Sequence, residues 1–380
     1  MAPLWVVPGL IVWLAVLLLP WRPWSTRERL EAVAGDAAAD LHDVVALVPA
    51  RNEAAVLPGT LRALSAQGSG LGIVLVDDQS TDGTAHAALD AGIPGLRLVR
   101  GAPVPPGWSG KVWALEQGRG QLDRPLALLL DADIELAPGA VAALRARLRE
   151  NGGGMVSLMA ELPARGAWER LLIPAFIFFF KLLYPFGCAN SPRSRVAAAA
   201  GGCILIETRI LDELGGFGSL RDALIDDCTL ARLVKRKGYS CWIGLTRSVR
   251  SARAYVGPGD VWRMVARTAF TQLRYSRGLL LVCTLVMAFA FVAPPVALAL
   301  GQGPARLAAG AALLCMACAY LPTLRFYDIP GAWVLGLPVA GTLYLGMTWH
   351  SAIGYWRGTR SQWKDRRYPR GDNVNADGAG

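Results

Sequence analysis

Long uncharged apolar runs sit at the two ends of this 380-residue chain and enclose a middle in which short apolar stretches alternate with polar turns. Residues 3–20 carry no charge and are followed by Arg22, Arg27 and Arg29. A crossing helix needs about 20 apolar residues, within a range of ~17–25, so this run is long enough. A cleaved secretory leader would carry its basic residues before the apolar core. Here they come after it, which predicts a retained anchor over 1–21 and a cytoplasmic position for the residues beyond it. A leader or a buried core helix is the alternative. Three further apolar runs cover 278–300, 307–323 and 332–350, punctuated by Pro294, Pro295, Pro322, Pro330 and Pro338. Four crossings would leave the tail outside, yet it carries Arg357, Arg360, Lys364, Arg366, Arg367 and Arg370, which the positive-inside rule places inside. Either one run in 278–356 is re-entrant or interfacial, with the last, broken by Pro338, as the candidate, or the charge rule does not hold here.

Composition agrees with a mixed architecture. The chain is 53% hydrophobic and only 18% charged, against about 25% charged for soluble domains. The formal charge of +10 suits nucleic acid, anionic lipid or a phosphate-bearing ligand without choosing among them. Seven cysteines show no framework spacing, as in a reduced domain facing the cytosol.

Between 40 and 275 the pattern predicts an α/β domain. Strands are expected at 44–48, 73–76, 96–99, 126–130 and 203–207, and helices at 53–66, 84–91, 111–121, 140–149 and 226–234. Continuous apolar strands alternating with helices imply a mostly parallel sheet covered on both faces, whose ligands bind beyond the strands' carboxyl ends. Acidic clusters fall there: Arg51-Asn52-Glu53, Asp77-Asp78 and Asp131-Ala132-Asp133. They would repel one another without a cation. In an extended segment Asp131 and Asp133 share one side, and hard oxygen ligands suit Mg²⁺ or Mn²⁺. Asp133 also fits a helix cap. The VDDQSTDGT turn reads as a cap at Asp82, with Asp78 free to accept from a nucleobase. Gly107 to Lys111 precedes a helix and offers an anion site, but Pro105 and Val112 exclude a Walker A loop. Asp226-Asp227 opens a helix, either as dipole-complementing acids or as a proton acceptor.

PARNE at 49–53, VDDQSTDGT at 76–84, DAD at 131–133 and the later acidic pair, in this order, resemble the family-two glycosyltransferases of GT-A fold. GWSGKVWALEQG at 107–118 and WKDRRY at 363–368 look like the membrane-embedded branch near ceramide glucosyltransferase and the hopene-associated group of bacterial hopanoid clusters. The resemblance implies a UDP-sugar or similar nucleotide-sugar donor, a divalent metal, and a bacterial-type inner membrane location with the catalytic domain in the cytoplasm. It implies that Asp78 meets the base, that Asp131 and Asp133 serve ribose and metal, and that Asp227 is the general base, with Asp226 standing where the family has Glu. Pro49, Arg51, Glu53, Lys111 and Ala132 would complete the donor side, and Gly201 and Gly202 would support the acceptor side. Of the family's Q-x-x-R-W only Arg274 matches outright, within Thr271 to Tyr275, which argues against processive polymer synthesis. The expected reaction is inverting transfer to a lipid hydroxyl, with a hopanoid-related alcohol among the candidate acceptors and Arg274 and Lys111 stabilising the departing diphosphate.

The run AFIFFFKLLYPFG within 168–187 cannot be a single crossing, which would part Asp133 from Asp227. It is expected as an interfacial helix, with a core helix as the alternative. Arginines 247, 250, 253, 263, 267, 274 and 277 face one acid, Asp260, and suit anionic headgroups or a solvated face. Nucleic acid is not an expected partner. No histidine reads as a ligand, and the tail at 373–380 is expected to be disordered. A sugar-phosphate nucleotidyltransferase and a non-catalytic lipid-handling protein are the competing readings.

Overall fold

The computed structural model describes residues 5–363 and 366–369, except 222, 224 and 256. Lys364, Arg370 and the 373–380 tail lie outside the described residues. The sheet contains β1 (Val44–Ala50), β2 (Gly72–Asp77), β3 (Leu96–Arg100), β4 (Leu126–Leu130), β5 (Ile134–Leu136), β6 (Met155–Glu161), β7 (Cys203–Glu207) and β8 (Cys241–Ser251), in the order β3-β2-β1-β4-β7-β6-β8-β5. Their pairings make β7 and β5 the strands that run against the rest.

β1 shows why the apolar runs are unbroken. Val44, Ala46 and Val48 enter one core, with Leu57, Leu61 and Leu64 of the Leu57–Ser65 helix and Leu144 and Leu148 of Ala140–Glu150. Val45 and Leu47 enter the other, with Val112 and Leu115 of Gly110–Arg119 and Leu230 and Val234 of Asp226–Arg236. Successive side chains of a strand point to opposite faces, so a strand covered twice must be apolar throughout. Each buried Val or Leu contributes about 1.5–3 kcal/mol.

The topology brings the polar turns together. β1, β2 and β4 end on one edge, carrying Arg51, Asp78 and Asp131. The reversed β7 starts there, with Cys203 opposite Leu130, so Gly201 and Gly202 arrive at the same edge. β8 ends there too, with Ser251 opposite Ile134. The D-x-D segment differs from expectation. It is a turn closed by Ile134 N–H donating to the Asp131 carbonyl at 3.1 Å, not an extended run, and its two carboxylates meet different cations.

A helical layer covers one end of this domain. The helix Ala167–Leu183 packs into a cluster with Trp13, Phe291, Tyr320 and Tyr344. Its Phe178 ring meets Tyr320 at 5.3 Å and Phe179 meets Tyr344 at 4.9 Å. Among the described residues, three helices are long and apolar enough to cross a membrane: Arg277–Leu300, Pro304–Phe326 and Gly331–Trp356. The first relaxes into a π-turn over Ala288–Val292 ahead of Pro294 and Pro295, which accommodates the missing donors. The N-terminal helix, Val7–Leu18, is 12 residues, a rise of about 18 Å and shorter than the crossing expected of the 3–20 run. After it, the chain is stitched to β8. Leu30 N–H donates to the Leu245 carbonyl at 3.0 Å, Leu245 N–H to that of Glu28 at 2.8 Å, and Ser248 Oγ to the Glu31 carboxylate at 2.7 Å. Beyond the last helix, Thr359–Trp363 and Arg366–Pro369 form an antiparallel hairpin.

Candidate active site

Two loops frame the sheet edge. Asn52 and Gln79 both take left-handed backbone conformations, at φ 51° and 56°; Asn tolerates this region better than most residues. The loops are tied together: Asn52 N–H donates to Ser80 Oγ at 3.0 Å and Thr81 N–H to Asn52 Oδ1 at 2.9 Å. Arg51 donates to the carbonyls of Asp78 at 2.6 Å and Gln79 at 3.0 Å, so it braces the two loops. Asp82 takes N–H donations from Thr84 and Ala54, both at 3.0 Å. This pins the turn and leaves the fully buried Asp78 beneath it.

The centre is a charged cluster on Lys111, which the first turn of the Gly110–Arg119 helix supplies. Its Nζ lies 2.6 Å from Asp131 Oδ1, 3.8 Å from Asp226 Oδ2 and 3.4 Å from the Gly201 carbonyl. Burial pulls the lysine's pKa down, but Asp131 and Asp226 outweigh it and hold the ammonium above its ordinary range. Burial pushes the Asp131 carboxyl up, against the opposing pull of Lys111. Asp227 accepts from Gly201 N–H and Cys228 N–H, each at 2.7 Å. Burial first, and the charge of Asp226 second, push its pKa up to about 6. A Cβ at Gly201 would sit 3.1 Å from Asp227 Oδ2 and 3.4 Å from Lys111 Nζ, so any larger residue would crowd these two side chains and make them shift. Pro49, at the end of β1, lines the same hollow as Asp131, Gly201 and Asp227.

A second clamp forms on Arg253, just past β8. Its Nε donates to Asp133 Oδ2 at 2.8 Å and its Nη2 to Glu53 Oε1 at 2.7 Å. Ser251 Oγ adds a bond to Asp133 at 3.2 Å. Ala132 is buried between the two aspartates and its carbonyl accepts from Thr60 Oγ1 at 2.8 Å. Gly202 packs beside Ile134.

The structure thus gathers Pro49, Glu53, Lys111, Asp131, Asp133, Gly201, Gly202, Asp226 and Asp227 at one mouth. Arg274 is set apart. It is exposed, at φ 51°, and among the described residues makes no hydrogen bond or ion pair with the carboxylates. Its neighbour Gln272 accepts from the Tyr184 hydroxyl at 2.5 Å, and Tyr184 lies within electrostatic reach of Asp227. Sequence reasoning does not single out Arg253 or Tyr184. Arg253 is one of seven arginines without distinguishing spacing, and Tyr184 is one aromatic in an aromatic run.

Five carboxylates, Glu53, Asp131, Asp133, Asp226 and Asp227, face Lys111 and Arg253 here. Among the described residues no three such side chains converge on a point that would hold a metal ion as they lie; the carboxylates of Asp131 and Asp133 are the donor type that Mg²⁺ or Mn²⁺ takes, and here Lys111 and Arg253 occupy them.

Residues 42–267 match the family model for Glycosyltransferase like family 2. The chain belongs to glycosyltransferase family 2. Its sheet and covering helices are the GT-A fold. The mannosyltransferase PcManGT from Pyrobaculum calidifontis, solved with GDP-Man and Mn²⁺, is 21% identical over 89% of this chain and 99% of its own, with a TM-score of 0.54. Glucosyl-3-phosphoglycerate synthase from Mycobacterium tuberculosis, solved with Mn²⁺, UDP and phosphoglyceric acid, is 18% identical over 65% of this chain and 87% of its own, with a TM-score of 0.41. At 21% identity the likeness to the mannosyltransferase is one of fold. No curated protein sequence matches the chain.

Proposed function

We propose that this family-two glycosyltransferase moves one sugar from a nucleoside-diphosphate sugar to a lipid hydroxyl, with inversion at the anomeric carbon. The observation that carries this is Asp227: a carboxylate fixed by two backbone N–H groups, poised at about 6 and set beside Lys111 at the sheet edge. A general base works best near the operating pH. Asp227 takes the proton as the acceptor oxygen bonds to the anomeric carbon, and the bond from that carbon to the diphosphate breaks with its electron pair leaving on phosphate oxygen. Lys111 holds positive charge where the leaving group forms. Arg274, in the turn that follows the Ala269–Gln272 helix, would add a second cation from the lip. Asp78 would accept from the base of the nucleotide. Asp131 and Asp133 would hold the divalent metal, Mg²⁺ or Mn²⁺, which neutralises diphosphate charge when bound. Arg51 and Arg253 order the loops around them.

A lipid acceptor is supported by the apolar helices beside the mouth, and a hopanoid-related alcohol by the resemblance of 107–118 and 363–368. The test is Asp227→Asn in purified protein, with labelled nucleotide-sugar and extracted lipid. Turnover should fall ~10²–10⁴-fold with donor binding retained; near-normal turnover would remove Asp227 from its role. Mass spectrometry of lipids from cells with and without the protein identifies the acceptor.

A further inference from the structure

Both ends of the last apolar segment touch the catalytic domain. At its start, Arg247 of β8 grips the turn that precedes it. The guanidinium meets Asp328 at 2.6 and 3.1 Å, donates to the Phe326 carbonyl at 2.6 Å and lies 5.3 Å from the Phe326 ring. Gly336 then abuts Leu171 of the Ala167–Leu183 helix. Midway, the Tyr344 hydroxyl donates to the Leu172 carbonyl at 3.0 Å. At the far end, Trp262 Nε1 donates to His350 Nδ1 at 2.7 Å, Phe270 N–H to Ser351 Oγ at 3.1 Å, and Tyr355 stacks on Tyr275 at 4.3 Å. Trp262, Phe270 and Tyr275 all precede the first C-terminal apolar helix, on the domain's side of it.

The 20-residue helix Leu337–Trp356 is about 30 Å long, close to the thickness of a bilayer's hydrocarbon core. A crossing would therefore carry one end out of the domain's reach. The turn between the two preceding helices behaves in that other way: Ala297 and Ala309, which flank it, pack with Val6 of the N-terminal segment. We propose that residues 331–356 do not cross the bilayer. The segment lies along the catalytic domain with both ends on that domain's side, and its outward residues Leu335, Val339, Ile353 and Trp356, all exposed, meet the headgroup–acyl boundary of the adjoining leaflet. Arg306 and the 301–303 turn then face the opposite side, and Arg357 faces the cytoplasm. This removes the conflict between four crossings and a basic tail. The inference stands apart from the proposed reaction.

The experiment is labelling of the full-length chain with a membrane-impermeant maleimide, in spheroplasts and in inverted vesicles. The partly accessible Cys188, Cys283, Cys315 and Cys318 are replaced by Ser, and the buried Cys203, Cys228 and Cys241 are kept. Single reporters are placed by Asp90→Cys in the domain, Gln302→Cys, Ala332→Cys and Arg357→Cys. Asp90→Cys, Ala332→Cys and Arg357→Cys should label only in inverted vesicles, and Gln302→Cys only in spheroplasts. Labelling of Arg357→Cys in spheroplasts, or of Ala332→Cys and Arg357→Cys from opposite sides, overturns the proposal. Because replacing cysteines can impair folding, alkaline phosphatase fused after residue 380 of the otherwise unaltered chain gives a second reading. An inactive fusion supports the proposal and an active one overturns it.

Discussion

Acidifying a transfer assay from about pH 7 to about pH 5 should remove the proton acceptor before it disturbs much else. Asp227 must be ionised to take a proton, and burial together with the charge of Asp226 holds it at about 6. A group with that pKa is about 90% ionised at roughly pH 7 and about 9% at roughly pH 5, so kcat/KM should fall about tenfold, with unit slope below the midpoint. Asp226→Asn deletes the like charge, so the limb should move toward lower pH. It should not reach the value of a free carboxyl, since burial is the larger cause and is unchanged. The assay is initial-rate release of nucleoside diphosphate at subsaturating donor, with lipid acceptor fixed. A rate flat from about pH 5 to 8, or a limb that Asp226→Asn moves upward, would refute the assignment of Asp227 as base.

Chelation should abolish transfer, and Mg²⁺ or Mn²⁺ should restore it; indifference to both would contradict the role given to Asp131 and Asp133. Arg253→Ala leaves Glu53 and Asp133 facing each other without the cation 2.7 and 2.8 Å away. A loss of at least about tenfold in kcat/KM is expected, since the two carboxylates repel each other once the cation that holds them is gone, and Arg253→Lys should recover part of it. Asn190 holds Ile243 of β8 by two bonds, one of 3.0 Å from its amide to the carbonyl and one of 2.7 Å from the backbone N–H to Oδ1. Asn190→Ala should destabilise by about 1–3 kcal/mol, read as a lower melting temperature in detergent.

Four of the five strands legible in the sequence are apolar and buried on both faces; β3, half-exposed at the sheet edge, is the fifth. β1, β2, β3 and β4 lie within a residue or two of where the apolar runs place them, as does β7. β6 and β8 escape such a reading, because their polar residues are satisfied from far away in the chain. Ser157 is buried in β6 only because its hydroxyl exchanges bonds with Ala200. Arg247 and Arg250 look like solvated charges in β8 until Asp328 and Glu161 meet them. β5 is three residues long and carries too little pattern to be seen. The mouth divides in the same way. Its carboxylates stand out because acids after apolar strands are costly unless used. Arg253 does not, since what distinguishes it is its partners, Glu53 some 200 positions earlier and Asp133 some 120 earlier.

The seam with Glu28 and Leu30 falls on Leu245, and the grip on Asp328 comes from Arg247, two residues further along the same strand. β8 is therefore a common hinge-plate: the segment after the N-terminal helix and the turn after Pro304–Phe326 are both fastened to it, and a break in that one strand would loosen both apolar ends of the chain from the sheet at once.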